Sequence, residues 1–183
     1  MLKLISFFVL VIISHVSLVQ QLPTDLDKSP LDVSYFPANY PILKMRGQAK
    51  TEPFARILYS RPQKKGRDIF GGEVAYNEVW RFGANEATEI ELFKNAIIGG
   101  KKIGKGRYTL YCIPSEKSWT IIVNKDNYSW GGFTYSSTKD IARVEVPTKK
   151  TDSATEALTI YFTPSSFQIM WDTTMVDVPI SFL

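Results

Sequence analysis

Beyond Phe54, apolar and polar residues alternate with a period of two through most of the chain, the pattern of strands with one face on a core and the other in water. Thr88 to Phe93 is the clearest case: Thr88, Ile90 and Leu92 fall on one face, Glu89 and Glu91 on the other. Ile141 to Val146 repeats the pattern, with Ala142, Val144 and Val146 expected inward. Phe54–Tyr59, Ala96–Ile98, Tyr108–Ile113, Trp119–Asn124, Leu158–Phe162, Phe167–Trp171 and Val176–Ile180 complete a series of about nine short strands. Turn residues separate them. Gly99-Gly100 tolerates the positive φ of a tight hairpin, Gly104-Lys105-Gly106 marks another turn, and Ser115-Glu116-Lys117 joins two strands expected to pair. No stretch has a convincing helical period, and there is no alternation of strands with helices. The expected fold is an all-β, single-domain β-sandwich of antiparallel strands, jelly-roll-like or a partly closed barrel.

Other stretches break this period. Leu4 to Ile13 is almost wholly apolar, follows a basic start at Lys3 and gives way to polar residues before Pro23. This is the layout of a secretory signal peptide, assigned to residues 1–20, with an uncleaved anchor as the alternative. Residues 21–30 read as a polar linker, and residues 31–183 as the single domain. Val33 to Pro41 is too aromatic for a free tail, and its prolines favour extended geometry, so it is expected to strap along the domain. Arg61 to Thr88 is the longest irregular stretch, Gly-punctuated and rich in arginine, aromatics and acids. Such a segment inside a domain is either functional or a packed surface loop.

Composition narrows the chemistry. The one histidine, His15, lies within the predicted signal. The exported chain would then hold no Ser-His-Asp or Cys-His arrangement and no histidine-based zinc site. One cysteine, Cys112, allows no intramolecular disulfide, so the fold must rest on its core, which 44% hydrophobic and 13% aromatic content can supply. Cys112 sits in a strong strand and reads as a small apolar filler. Losing Lys3 lowers the formal net charge of +4 by one. A mildly basic protein of this kind is not expected to bind nucleic acid, and its membrane contact is expected only through the export signal. No phosphate-binding glycine loop, metal-ligand spacing or cofactor motif is present, so no cofactor or metal is expected.

Candidate chemistry therefore gathers in the irregular stretch. Arg61, Arg67 and Arg81 lie near Asp68, Glu73, Glu78 and Glu86 in sequence, and guanidinium forks bind carboxylate or phosphate. One reading is an anion or carbohydrate pocket with Arg81, Asn85 and Glu86 at its floor and Arg67 as a further ligand-binding candidate. The favoured reading is an internal ion-pair network that holds the segment in place. Glu86 is also the one candidate catalytic acid or base, with Glu73 or Asp172 as possible partners. Asp172-Thr173-Thr174 reads more simply as a side-chain-capped turn. Tyr128, Trp130, Phe133 and Tyr135 surround Gly131-Gly132 in a loop that could stack on sugars, Trp130 above all, but is favoured as a lid on the core. Lys101, Lys102, Lys105 and Arg107 read as a solvated edge.

Several of these stretches carry a resemblance. SPLDVSYFPANYPILK (Ser29 to Lys44), ARILYSRPQKKGRDIFGG (Ala55 to Gly72), YNEVWRFGANEATEIEL (Tyr76 to Leu92), GKGRYTLYCIPSEKSWTIIVNKD (Gly104 to Asp126), WGGFTY (Trp130 to Tyr135) and WDTTMVDVPI (Trp171 to Ile180) resemble a bacterial family known as domain of unknown function 2911, often found in exported proteins. VWRFGANEAT (Val79 to Thr88) is the most specific part. Phe82 stands where threonine is common in that family, and Cys112 where threonine or a similar residue is common. The resemblance supports the fold and boundaries and implies no activity. The expected protein is exported, periplasmic or extracellular. It binds a glycan, a small anion or an envelope partner; a carboxylate-based hydrolase using Glu86 and a purely structural envelope protein are the alternatives. The sequence leaves the oligomeric state open.

Overall fold

The computed structural model describes residues 25–183, so the predicted signal at residues 1–20 lies outside the described residues. Nine strands follow in chain order: β1 (Leu31–Phe36), β2 (Ala55–Ser60), β3 (Glu89–Leu92), β4 (Ala96–Ile98), β5 (Lys101–Ile103), β6 (Gly106–Pro114), β7 (Ser118–Asn124), β8 (Asp140–Phe162) and β9 (Ser166–Phe182). They pair antiparallel in the order β1-β2-β3-β6-β7-β8-β9-β4-β5. The fold is all-β and single-domain, and the sheet stays open, with β1 and β5 as its edges, instead of closing into a barrel.

The sheet folds onto itself through β8 and β9. β8 pairs with β7 as far as Pro147 and with β9 from Thr148 onward, while β9 ends against β4. Ile57, Ile90, Leu110, Ile121 and Val144 from one layer thereby meet Ile98, Ile160, Ile169 and Val178 from the other. The expected inward sets are buried: Thr88, Ile90 and Leu92 on β3 and the turn before it, and Ala142, Val144 and Val146 on β8. The Gly99-Gly100 hairpin forms where predicted. Gly99 has φ 51°, and a Cβ there would lie 2.0 Å from Val144 Cγ1, so a side chain would wedge the layers apart.

The structure corrects three expectations. The four strands expected after residue 140 are two long bent ones. Lys149 to Ala157 is polar enough to read as a loop, yet part of it stays in the ladder across register shifts. Asp172 is no turn cap: it sits inside β9 with φ 52°, at such a shift, and pairs with Lys64 at 3.0 Å. The strap expected at residues 33–41 is extended along the domain as far as Phe36, where β1 pairs with β2 along its length. The third correction is a short helix α1 (Tyr40–Met45), where the prolines were expected to keep the segment extended. Pro41 stands at its start, where the missing N–H has no helical partner to lose.

The irregular stretch from Arg61 to Thr88 packs its aromatics into the core. Trp80 stacks on Trp171 with ring centroids 6.0 Å apart and meets Trp119 edge-on; Phe82 also meets Trp119, and Phe70 lies 4.8 Å from it. Trp80 is 8% exposed and Phe82 fully buried.

Candidate functional site

The site grows from an interruption in a strand pairing. Trp80 pairs with Cys112 across an isolated bridge, donating to its carbonyl at 2.7 Å and accepting from its N–H at 2.9 Å. The chain then leaves the ladder and returns at Thr88, whose N–H donates to Arg81 O at 3.1 Å while its own carbonyl accepts from Leu110. Phe82 (φ 63°) and Asn85 (φ 57°) take the left-handed conformations that this tight excursion needs. Its backbone groups find side-chain partners. Ser60 Oγ donates to Ala84 O and accepts from Ala84 N–H, Thr88 Oγ1 donates to Phe82 O, and Trp80 Nε1 donates to Gly83 O.

The three arginines have different environments. Arg61 donates to Asp32, Leu158 O and Thr159 Oγ1 at 3.0 to 3.1 Å, tying the stretch to β1 and β8. Arg67 pairs with Glu73 at 2.7 Å and donates to the carbonyls of Gln63 and Lys64, tying the stretch to itself. Both do what the favoured reading expected. Arg81 does not: among the described residues its guanidinium has no ion pair. Its Nε is buried without a partner, and desolvation pulls its pKa below the ordinary arginine value. Arg81 lines a cavity of 310 Å³ with Glu73, Glu78, Val79, Trp80 and Phe133.

Asn85 and Glu86 face elsewhere. Asn85 Nδ2 donates to Asp27 Oδ2 at 3.0 Å. Glu86 is exposed, bridges by its backbone to Trp130, and shares with Trp130 a second cavity of 440 Å³. The candidate residues thus divide. Glu86 and Trp130 come together, Arg81 lies beside Phe133 in the neighbouring cavity, and Arg67 and Asn85 serve as ties.

The larger cavity is a groove over the outer face of the sheet, with Leu31, Leu58, Glu89, Arg107 and Tyr128 completing its wall. It continues past Leu58, Glu89 and Arg107 into a smaller hollow of 180 Å³ that adds Val33, Tyr35, Arg56 and Glu91. The floor is charged and paired. Arg56 meets Glu91 at 2.7 Å, and Arg107 lies 3.7 Å from Glu89 and 3.8 Å from Glu91. Residues Glu89, Glu91 and Arg107 escaped the sequence reading as a site. The alternation on β3 did mark the two glutamates as outward, but only the register Arg56↔Glu91↔Arg107 across β2, β3 and β6 brings the charges together.

The aromatic loop forms the rim. Tyr128 N–H donates to Glu89 Oε1 at 3.0 Å, Ala87 N–H to Ser129 O and Gly131 N–H to Asn85 O, each at 2.9 Å. The lid expected here holds for one ring: Tyr135 packs edge-on against buried Tyr111 at 5.0 Å. Tyr128, Trp130 and Phe133 are 79%, 60% and 86% exposed, because the loop's hydrogen bonds hold its backbone down and turn those rings outward. Arg107 sits over the Tyr128 ring at 5.4 Å.

Cys112 is fully buried, and burial pushes its thiol pKa well up, so it fills space as expected. Among the described residues no group of three His, Cys, Asp or Glu side chains could hold a metal ion.

No curated protein and no solved structure matches this chain. One family does, described as a protein of unknown function (DUF2911), over residues 45–180, which takes in the Arg81 cavity, the aromatic-lined groove except its β1 wall, and most of both layers. The chain belongs to the DUF2911 family.

Proposed function

We propose that this is an exported, saccharide-binding β-sandwich protein of a bacterial envelope, and that the groove over β1, β2, β3 and β6 is its binding face. Export rests on the basic start and apolar run at Lys3 to Ile13. Saccharide binding rests on one observation: Tyr128 and Trp130 stand exposed at the rim of a groove whose floor holds paired Glu89, Glu91, Arg56 and Arg107. Aromatic rings offer apolar faces to the C–H side of a sugar, and the charged floor offers acceptors and donors to its hydroxyls. The ion pairs keep the floor near neutral, which suits a polyol better than a strongly charged ligand.

The test is a titration with a panel of neutral oligosaccharides, read by tryptophan fluorescence and calorimetry. A saturable response is expected, weakened about tenfold by Trp130→Ala, the scale of one lost stacking contact. A panel without any saturable response, or an unchanged affinity in W130A, would overturn the reading. A second reading has its own observation. Glu86 and Glu89 line the same groove, and carboxylate-based hydrolysis needs two such groups. Release of reducing ends, lost in Glu86→Gln, would establish it.

A further inference from the structure

Glu86 and Trp130 stand as a cross-strand pair over one end of the groove. Ala87 N–H donates to Ser129 O and Gly131 N–H to Asn85 O, each at 2.9 Å. These bonds flank the Glu86–Trp130 bridge instead of joining its two residues, which makes it a non-hydrogen-bonded antiparallel pair. Residues so placed lie about 4.5 Å apart at Cα, with their side chains close together on one face. That face is the groove, because both residues line the 440 Å³ cavity. Both are exposed there. The charges around the pair do not balance. Two carboxylates, Glu86 and Glu89, line this cavity with one guanidinium, Arg107. Glu89 is taken: Arg107 lies 3.7 Å away, and Tyr128 N–H donates to it at 3.0 Å. Glu86 has no ion pair among the described residues. The hollow at the far end is neutral, with Arg56 and Arg107 against Glu89 and Glu91. The surplus charge of the groove is therefore one carboxylate, and it sits beside the indole.

From this pairing we infer that the groove prefers an amino sugar, with its ammonium on Glu86 and its ring on Trp130. The inference rests on the saccharide reading and names the class of sugar. An ammonium donates to a carboxylate in a charge-assisted hydrogen bond, and it is also drawn to an indole face. A hydroxyl in the same place carries no charge for either group to meet, and acetylation of the amine removes that charge. Of the two rim aromatics, Tyr128 already has Arg107 over its ring at 5.4 Å, whereas among the described residues no cation lies over Trp130. The indole that is open to a cation is thus the one paired with the open carboxylate. The neutral floor beyond them serves the uncharged hydroxyls of the remainder of the chain of sugars.

Three disaccharides that differ only beside the anomeric carbon test this by calorimetry: the glucosamine disaccharide, its N-acetylated form, and cellobiose. Putrescine serves as an amine without a sugar ring. Titrations run at about pH 6, below the range in which such amines lose their proton. The glucosamine disaccharide is expected to bind about tenfold more tightly than cellobiose, the scale of one hydrogen bond to a charged group. The acetylated form is expected to show no such gain. Glu86→Gln keeps the shape and removes the charge, and it is expected to erase most of the preference. Saturable binding of cellobiose with no gain for the amine overturns the proposal and leaves the saccharide groove standing. A preference that survives in E86Q overturns it as well. Putrescine binding as tightly as the glucosamine disaccharide overturns it in another way, since charge alone would then be read and the saccharide reading would fail too. Silence from every ligand overturns both readings.

Discussion

Trp80 and Arg81 are adjacent, and their side chains do opposite work. Trp80 is the hinge of the aromatic core, in contact with Phe70, Phe82, Trp119 and Trp171. Its removal leaves a large cavity that four rigid rings cannot close, so Trp80→Ala is expected to cost about 3 to 5 kcal/mol in denaturant unfolding. A loss below about 1 kcal/mol would mean that the irregular stretch packs more loosely than this cluster implies. Arg81 turns outward without an ion pair. The sequence marked Arg81, since an arginine so close to Asn85 and Glu86 suggested convergent chemistry. It could not say which neighbours were ties and which was alone. That depends on the carbonyls of Gln63, Lys64 and Leu158, which saturate Arg61 and Arg67 and do not reach Arg81.

At the scale of elements, the loop at residues 125–136 is held open by its own fastenings. Glu89 on β3 takes the Tyr128 N–H, Asn85 O takes the Gly131 N–H, and Tyr135 anchors the far end by donating to Asp140 at 2.7 Å. The carboxylate of Glu89 thus bridges the charged floor to the aromatic rim. Glu89→Gln keeps an acceptor but loses the charge that faces Arg107. It is expected to weaken the loop more than the fold: limited proteolysis between Asp126 and Tyr135 should quicken severalfold while the melting temperature moves by only a few degrees. Equal protection of the loop in both proteins would remove Glu89 from this role. The basic edge at β5 was legible in advance, because lysines on an edge strand discourage pairing with another chain, and Lys101 and Lys102 stand exposed there. The joining of four expected strands into β8 and β9 was not legible, since a register shift costs two or three residues of alternation and then restores it in a new phase.

For the molecule as a whole, stability rests on packing and hydrogen bonding without a covalent cross-link, with one buried free thiol. The buried groups that titrate in the alkaline range give this a pH signature. Burial raises the pKa of Tyr59, opposed by a backbone hydrogen bond at Ile160, and raises that of Cys112 well up. The unfolded chain therefore ionises these groups first, at about 8.5 for the thiol and about 10 for the phenol. Their contribution is fully present below those values and is lost as pH rises above them. Unfolding free energy is expected to be flat from neutrality to about pH 8.5 and to fall beyond it, less steeply in Tyr59→Phe above about pH 10. An identical slope in Y59F would exclude Tyr59 from the effect.

From the sequence alone came the fold class, the inward faces of the strands, the hairpin at Gly99-Gly100 and the filler role of Cys112. These are local properties, written in a period of two, in turn residues and in side-chain size. Tertiary structure decided which way the sheet folds over, which arginine is left without an ion pair, and which charges share a groove with Tyr128 and Trp130. Those depend on register between strands far apart in the chain. Glu89 on β3, Arg107 on β6 and Tyr128 in the loop after β7 come from separate parts of the chain. No local pattern encodes such pairings, because they arise only when the core closes and sets each strand against its neighbours.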